Sequence, residues 1–342
     1  FNNMGSTYNL LKDYTNAHKS ISESIKISPN NAEAHNNLGT TELNLYNEYK
    51  AIQSYSKAIE IDAKFVLAYS NLCSLYERSN NLKKFEEVLL KAEREGLNHN
   101  EEIKFQKGQL YSRNKDFKNS IKFLEQVNDL KITNKMKIEK YELLGKDYDK
   151  TKSYVQAFEC FKESNLLVKA SIETKLSRPE KYHSEVHQLI KSYSKLKDIK
   201  WDDEIKNKKI TPIFLIGFPR SGTTLLDSIL GSHPNIISLE EKPMIAKVKR
   251  KLNKIATFEN LNKLNFVEIE KLQMIYFAEL SKHTSIENLN GKILIDKLPL
   301  SIIDIGLIIK IFPDAKFILV IRHPLDCILS CFMQTFNLND AM

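Results

Sequence analysis

The chain has 342 residues, 42% of them hydrophobic and 27% charged, a balance that fits a folded protein with room for two cores and excludes a disordered chain. No run of about eighteen or more apolar residues occurs, so no segment is expected to span a bilayer as a helix. The formal net charge of +8 favours anionic partners, although most of the lysines read as solvated surface.

The first half repeats itself. "NNMG" (Asn2 to Gly5) returns as "NNLG" (Asn36 to Gly39) at an offset of 34, which also carries Ala17 to Ala51, Ile25 to Ile59, Leu38 to Leu72 and Ala58 to Ala92. Two further copies, "KGQLYSRNKDFKNSIKFLEQV" and "LGKDYDKTKSYVQAFECFKES", follow with small slips in spacing. A small residue in one helix and apolar residues at helical spacing in the next predict stacked helix pairs, because one pair cannot bury its apolar face alone. Gly39 and Ala58 should let helices approach, and Tyr55, Phe85 and Leu89 should fill the grooves. This pattern resembles tetratricopeptide repeats, about five of them over residues 1–172. The resemblance implies a curved α-solenoid that binds a peptide or protein on its concave surface, or that scaffolds the chain.

Residues 173–209 read as a connecting helix and linker. Ser177 is a candidate cap with Pro179 just inside the helix, and Val186, Leu189, Ile190, Tyr193 and Leu196 form an apolar stripe. His183 and His187 share a face of this helix, but the zinc-protease order HExxH is absent and no metal is expected. "DDEIKNKK" after Trp201 reads as a polar linker.

At Thr211 the composition changes. "TPIFLIGFPRSGTTLL" is an apolar strand (Ile213 to Ile216), a tight loop with Gly217, Pro219 and Gly222, and a helix from Thr223 to Leu230. Backbone N–H groups at such a helix start converge on one point, and the helix dipole favours an anion there. The ATP-binding pattern GxxxxGK[ST] fails at its lysine, which is Thr223 here, so ATP hydrolysis is not expected. Arg220 lies inside the loop instead, with Ser221, Thr223 and Thr224 adding hydroxyls, a set suited to one terminal phosphate and a cation at a breaking bond.

Glu240 and Glu241 follow a short apolar run and, taken alone, read as a solvent-facing pair. A strand at Ile293 to Ile295 precedes Asp296 and Lys297, and a lysine just past a strand end points to the cleft of an open parallel sheet. "DAKFILVIRHPLDCILSCF" is a strand from Lys316 to Ile321, a turn at Pro324 and a helix. Arg322 lies at the strand end and Ser330 eight residues later, expected about one turn into the helix, so the two can converge on a phosphate.

Together, "FPRSGTTLL" and "RHPLDCILS" resemble the 5′-phosphosulfate loop and the 3′-phosphate motif of sulfotransferases that use 3′-phosphoadenosine 5′-phosphosulfate (PAPS). The resemblance covers residues 210 to about 336. It implies that residues 210–342 are the N-terminal part of a P-loop-like α/β sulfotransferase domain with a central parallel sheet, C-terminally truncated relative to the family. By that resemblance Arg220, Ser221, Gly222, Thr223 and Thr224 would hold the 5′-phosphosulfate, with Arg220 at the bridging oxygen. Arg322 and Ser330 would hold the 3′-phosphate. In the tyrosylprotein branch a glutamate at the place of Glu241 is the general base and a lysine in the setting of Lys297 aids the leaving phosphate; Glu240 is the alternative base. His233 and His323 do not occupy the place of the histidine base used by the small-molecule branch. The implied activity moves a sulfuryl group from PAPS to a hydroxyl of a peptide, glycan or small molecule, releasing 3′-phosphoadenosine 5′-phosphate, without a metal.

Two rival readings are a small-molecule kinase and a tetratricopeptide adaptor with an inactive or incomplete second domain. Nucleic-acid binding is not expected, since the basic residues do not cluster with stacking aromatics. The four cysteines (Cys73, Cys160, Cys327, Cys331) form no CxxC pair, which suits a reducing, cytoplasmic setting; Cys327 and Cys331 share a helix face as packing residues.

Overall fold

A computed structural model of the chain describes residues 1–170, 179–194, 211–285 and 287–334. The expected cap at Ser177, the stripe residue Leu196 and the linker after Trp201 lie outside the described residues. The backbone divides into two compact units, residues 1–169 and 170–342. Among the described residues no helix is long and apolar enough to cross a membrane.

The first unit is five successive helix pairs: α1 (Asn2–Leu10) with α2 (Tyr14–Ile27), α3 (Ala32–Asn44) with α4 (Glu48–Ile61), α5 (Val66–Arg78) with α6 (Leu82–Arg94), α7 (Glu101–Arg113) with α8 (Phe117–Glu125), and α9 (Asn134–Lys150) with α10 (Tyr154–Lys169). Starts are set by side-chain caps: Asp13, Asn31, Asn81, Asn100, Asp116 and Thr133 each accept a first-turn N–H that the helix itself leaves unpaired. Each pair turns through one left-handed residue, successively Lys12, Tyr46, Asn80, Lys115 and Lys152.

The repeated small residue is a contact requirement. A Cβ on Gly39 would lie 2.6 Å from the ring of Tyr55, which is 2% exposed. The same relation joins Gly5 to Ile21, Gly108 to Leu124 and Gly145 to Phe161. Phe85 and Leu89 are buried between pairs as the spacing predicts.

The second unit begins with α11 (Pro179–Tyr193), whose Tyr193 hydroxyl donates to the Ala256 carbonyl at 2.9 Å. Its stripe is only partly inward: Leu189 is buried, whereas Ile190 is exposed. The chain then runs β1 (Ile213–Gly217), α12 (Thr223–Gly231), β2 (Ile236–Glu240), α13 (Met244–Leu252), α14 (Phe258–Asn262), α15 (Phe266–Leu280), β3 (Ile293–Lys297), α16 (Ile305–Ile311), β4 (Lys316–Val320) and α17 (Pro324–Phe332).

All strands are parallel, in the order β2-β3-β1-β4. β1 is internal, and Phe214, Leu215 and Ile216 are buried, which is why it reads as a continuous apolar run. Phe214 packs on Tyr276, Phe312 and Phe317 at the centre of the core. After β1 the chain crosses to β2 on one side, and after β3 it crosses to β4 on the other. The crevice between the carboxyl ends of β1 and β3 is therefore a topological switch point, where open α/β sheets bind ligands.

The apolar run before Glu240, given no element from the sequence, is a strand, β2. Two sequence expectations change. β3 continues through Asp296 to Lys297, so that lysine ends the strand and does not follow it. Ser330 is the seventh residue of α17, about two turns in rather than one.

Gly39→Ala should destabilise the first unit by roughly 1–2 kcal/mol, since the new methyl meets a buried ring that cannot swing aside, and this outweighs alanine's helix propensity. Urea unfolding checks it: the cost should shrink when Tyr55→Leu is added, and strict additivity would reject the contact as its cause.

Candidate functional site

The loop between β1 and α12 is shaped by backbone conformation. Arg220 (φ 67) and Gly222 (φ 105) are both left-handed, and Ser221 N–H closes the turn onto the Phe218 carbonyl at 3.1 Å. Gly222 precedes α12 without a side-chain cap, so the first N–H groups of the helix have no partner from that position. Gly217 has no room for a side chain: a Cβ would sit 2.8 Å from Ser221 Oγ and 2.9 Å from the Val320 carbonyl. The Ser221 hydroxyl is buried and has no hydrogen-bond partner among the described residues, an uncommon state for a buried polar atom. The loop thus offers an unpaired hydroxyl and uncapped N–H groups at one place.

The second segment meets this loop. Arg220 Nε donates to Ser330 Oγ at 3.0 Å, and Arg322 Nη1 donates to the Arg220 carbonyl at 3.1 Å. Arg322 is also 3.7 Å from the exposed carboxylate of Asp326. Residues a hundred positions apart are joined because β1 and β4 are neighbours in register, Gly217 opposite Val320, so their carboxyl-end loops emerge side by side.

On the other side of β1, Lys297 has no exposed side-chain surface. Its ammonium donates to Glu240 Oε1 at 2.7 Å, Glu241 Oε1 at 3.1 Å and Thr224 Oγ1 at 3.2 Å, which uses all three of its protons. Burial alone would lower the lysine pKa, but the bonds and charges of the two carboxylates outweigh it and hold the pKa above the usual lysine value. The Glu241 N–H also donates to the Lys297 carbonyl at 2.7 Å, and Glu241 is left-handed at φ 51. A non-glycine residue in that conformation costs roughly 1–2 kcal/mol and is held by its surroundings.

The sequence-predicted residues therefore form two groups on one sheet edge: Arg220, Arg322 and Ser330 on one side, and Lys297, Glu240, Glu241 and Thr224 on the other. Ser221 and Gly222 belong to the turn between them, and Thr223 opens α12. His233 stays apart, its Nδ1 accepting the Asn235 N–H at 3.2 Å in a local turn.

Sequence reading missed the supports. Ser238 on β2 bonds Asp227 on α12, tying the loop helix to the strand that carries the glutamates. Asp296, 2% exposed, accepts the Tyr276 hydroxyl at 2.7 Å. The one available signal was an acidic residue next to Lys297 inside an apolar strand.

Comparison with known proteins gives two family matches. Residues 212–342 match the model of the Sulfotransferase family, and residues 1–31, 32–65 and 101–131 match the Tetratricopeptide repeat model. An uncharacterized protein of Aquifex aeolicus is 28% identical over 207 residues, 57% of this chain and 26% of its own length. Protein-tyrosine sulfotransferase 1 of Danio rerio is 30% identical over 125 residues, 34% of each chain. The chain thus spans between a quarter and a third of the length of these curated relatives. A tetratricopeptide protein of Thermus thermophilus aligns with 54% of this chain and 95% of its own at 18% identity and a TM-score of 0.42.

Burial pushes the Asp296 carboxyl up to about 7, against a smaller downward pull from the Tyr276 hydroxyl, whereas an unfolded aspartate titrates near 3.9. The folded state then binds the extra proton between these values. Its stabilising contribution is full below about pH 4 and is lost as the pH rises through about 7. Asp296→Asn, which still accepts from Tyr276, should flatten the decline of Tm between about pH 5 and pH 8; an unaltered slope would place the titration elsewhere.

Proposed function

From a chain in which tetratricopeptide repeats precede a sulfotransferase-family segment, we propose that the second unit moves a sulfuryl group from PAPS to an acceptor hydroxyl and that the repeats hold a polypeptide partner or substrate. One observation carries the donor assignment: the Arg220 side chain reaches Ser330, and Arg322 reaches the Arg220 carbonyl. A donor bearing phosphate at both the 5′ and 3′ positions needs two anion sites, and these bonds bring the Arg322 and Ser330 segment beside the loop that starts α12. ATP needs a loop lysine, which this chain replaces with Thr223.

In this reading the unpaired Ser221 hydroxyl, the uncapped start of α12, Thr223 and Thr224 take the 5′-phosphosulfate, with Gly222 allowing close approach. Arg322 and Ser330 take the 3′-phosphate, which competes with Asp326 for Arg322. Glu241 accepts the acceptor proton while the acceptor oxygen bonds to sulfur. The bond from sulfur to the bridging phosphate oxygen breaks, and the charge left on that oxygen is met by Lys297 and Arg220. Because the Lys297 protons are all engaged, it must release one of its partners to reach the leaving oxygen. Release of Glu241 would free the base and the cation together. Glu240, the closer partner, is the group placed to keep the lysine charged. Protein tyrosine, the acceptor named for the Danio rerio relative, is a hydroxyl of the kind this chemistry requires.

Transfer of sulfate from labelled PAPS to a panel of tyrosine peptides, glycans and small alcohols tests the assignment. Arg220→Ala and Lys297→Ala should each slow transfer about a hundredfold, a loss of roughly 3 kcal/mol in the transition state. An unchanged rate in either variant would remove that residue from the reaction. Glu241→Gln should lower kcat with donor affinity nearly intact, and loss of donor binding would make its role structural.

A further inference from the structure

We infer that the groove between the third and fourth helix pairs binds a partner polypeptide that presents a carboxylate side chain beside an aliphatic one. The inference rests on the reading that the repeats hold a polypeptide, and it names where and by what chemistry. The repeat model matches residues 1–31, 32–65 and 101–131, so the third pair, α5 and α6, falls outside the match. Its connection to α7, residues 95–100, is longer than the corresponding residues 28–31 and 62–65. It turns through left-handed Gly96 into a short 3-10 helix at Leu97–His99.

Beside this extra length lies a cavity of about 330 Å³, lined among others by Glu93, His99, Lys104, Lys107, Phe123 and Gln126. A smaller one of about 130 Å³ continues between α6 and α7 over Leu89, Leu90, Leu110 and Tyr111. Glu93 and Lys107 border both, so their ion pair is the saddle between two chambers.

Lys104, Lys107 and Tyr111 share one face of α7 by their spacing. A different face of α7 carries Gln106, which donates to Ser70 and Ser74 of α5, both at 3.3 Å. The groove is therefore distinct from the surface where the first helices of successive pairs meet.

The larger chamber sets two lysines and one glutamate over an aromatic wall. Lys107 lies 4.8 Å from the Phe123 ring centroid, and Phe123 stacks on Tyr111 at 5.4 Å, extending the wall into the smaller chamber. Lys104 is 3.2 Å from Glu101, whose other carboxylate oxygen accepts the Asn128 N–H at 2.8 Å. That bond holds Glu101 in place, whereas the Glu93 carboxylate has no second hydrogen-bond partner among the described residues and can swing from Lys107. A guest carboxylate replacing Glu93 there keeps the lysine paired and gains Lys104 and the Gln126 amide. The smaller chamber offers aliphatic walls, including Leu90 at 45% exposure, to the neighbouring side chain.

Backbone-resolved NMR titration of the whole chain with acetyl-Leu-Glu-amide and acetyl-Leu-Gln-amide tests this. The glutamate peptide should shift His99, Lys104, Lys107 and Phe123 signals and bind about fivefold more tightly than its glutamine twin, the upper range for a partly exposed ion pair. Glu93→Gln, which frees Lys107, should tighten the glutamate peptide several-fold, a gain that no misfolded variant can mimic. Lys107→Met should abolish the preference. Unchanged or weaker binding in Glu93→Gln overturns the site. Shifts confined to other surfaces of residues 1–169 overturn the site and leave the polypeptide reading standing, whereas no shifts there with either peptide overturn both.

Discussion

The site is organised around a buried ammonium. Lys297 has no exposed side-chain surface, and an isolated charge there would cost several kcal/mol. It is tolerable because Glu240, Glu241 and Thr224 satisfy all three of its protons. That requirement dictates much of the surrounding architecture. β2 must lie beside β3 in a register that places Glu240 opposite Lys297, and α12 must begin where Thr224 reaches the same point. The left-handed turn at Glu241, otherwise unfavourable, brings the second carboxylate onto Lys297 at the end of the neighbouring strand β3. Removing either glutamate would leave charge in the interior with fewer partners.

The opposite bank of the crevice follows a different logic. Arg220, Arg322 and Ser330 bond one another at the exposed ends of β1 and β4, and none of these contacts is deeply buried. Those bonds are exposed, whereas the Lys297 ammonium is buried and reaches a ligand only by exchanging one of its three partners. A buried cation on one side and exposed cations on the other suit an anionic ligand that binds along the switch point of the sheet. The buried, unpartnered Ser221 hydroxyl between them points the same way.

Much of this was legible in the sequence because the governing constraints are local. The 34-residue period exposes the contact of Gly39 with Tyr55, and the apolar run at Ile213 marks a strand buried on both faces. The turn residues Gly217 and Gly222 signal the loop. What stayed hidden depends on strand order. Nothing near Glu240 announces that β2 pairs with β3, so its short run looked like a surface acidic pair. The partners of Lys297 come from segments more than fifty residues away. Ser330 was placed a turn too early because the residues at Pro324 read as a turn ahead of the helix, whereas α17 begins at Pro324 itself. Asp296 and Tyr276 could not be paired without knowing that α15 packs beneath the sheet.

The central claim is that two separate anion sites flank this sheet edge, one of them made for a 3′-phosphate. Calorimetric titration of the protein with 3′-phosphoadenosine 5′-phosphate, AMP and Mg·ATP, repeated with Arg322→Ala, measures it most directly. The account predicts that the 3′-phosphorylated nucleotide binds at least about tenfold more tightly than AMP, ~1.4 kcal/mol, and that Arg322→Ala erases this margin. Equal affinity for the two nucleotides, or binding of Mg·ATP alone, would contradict it.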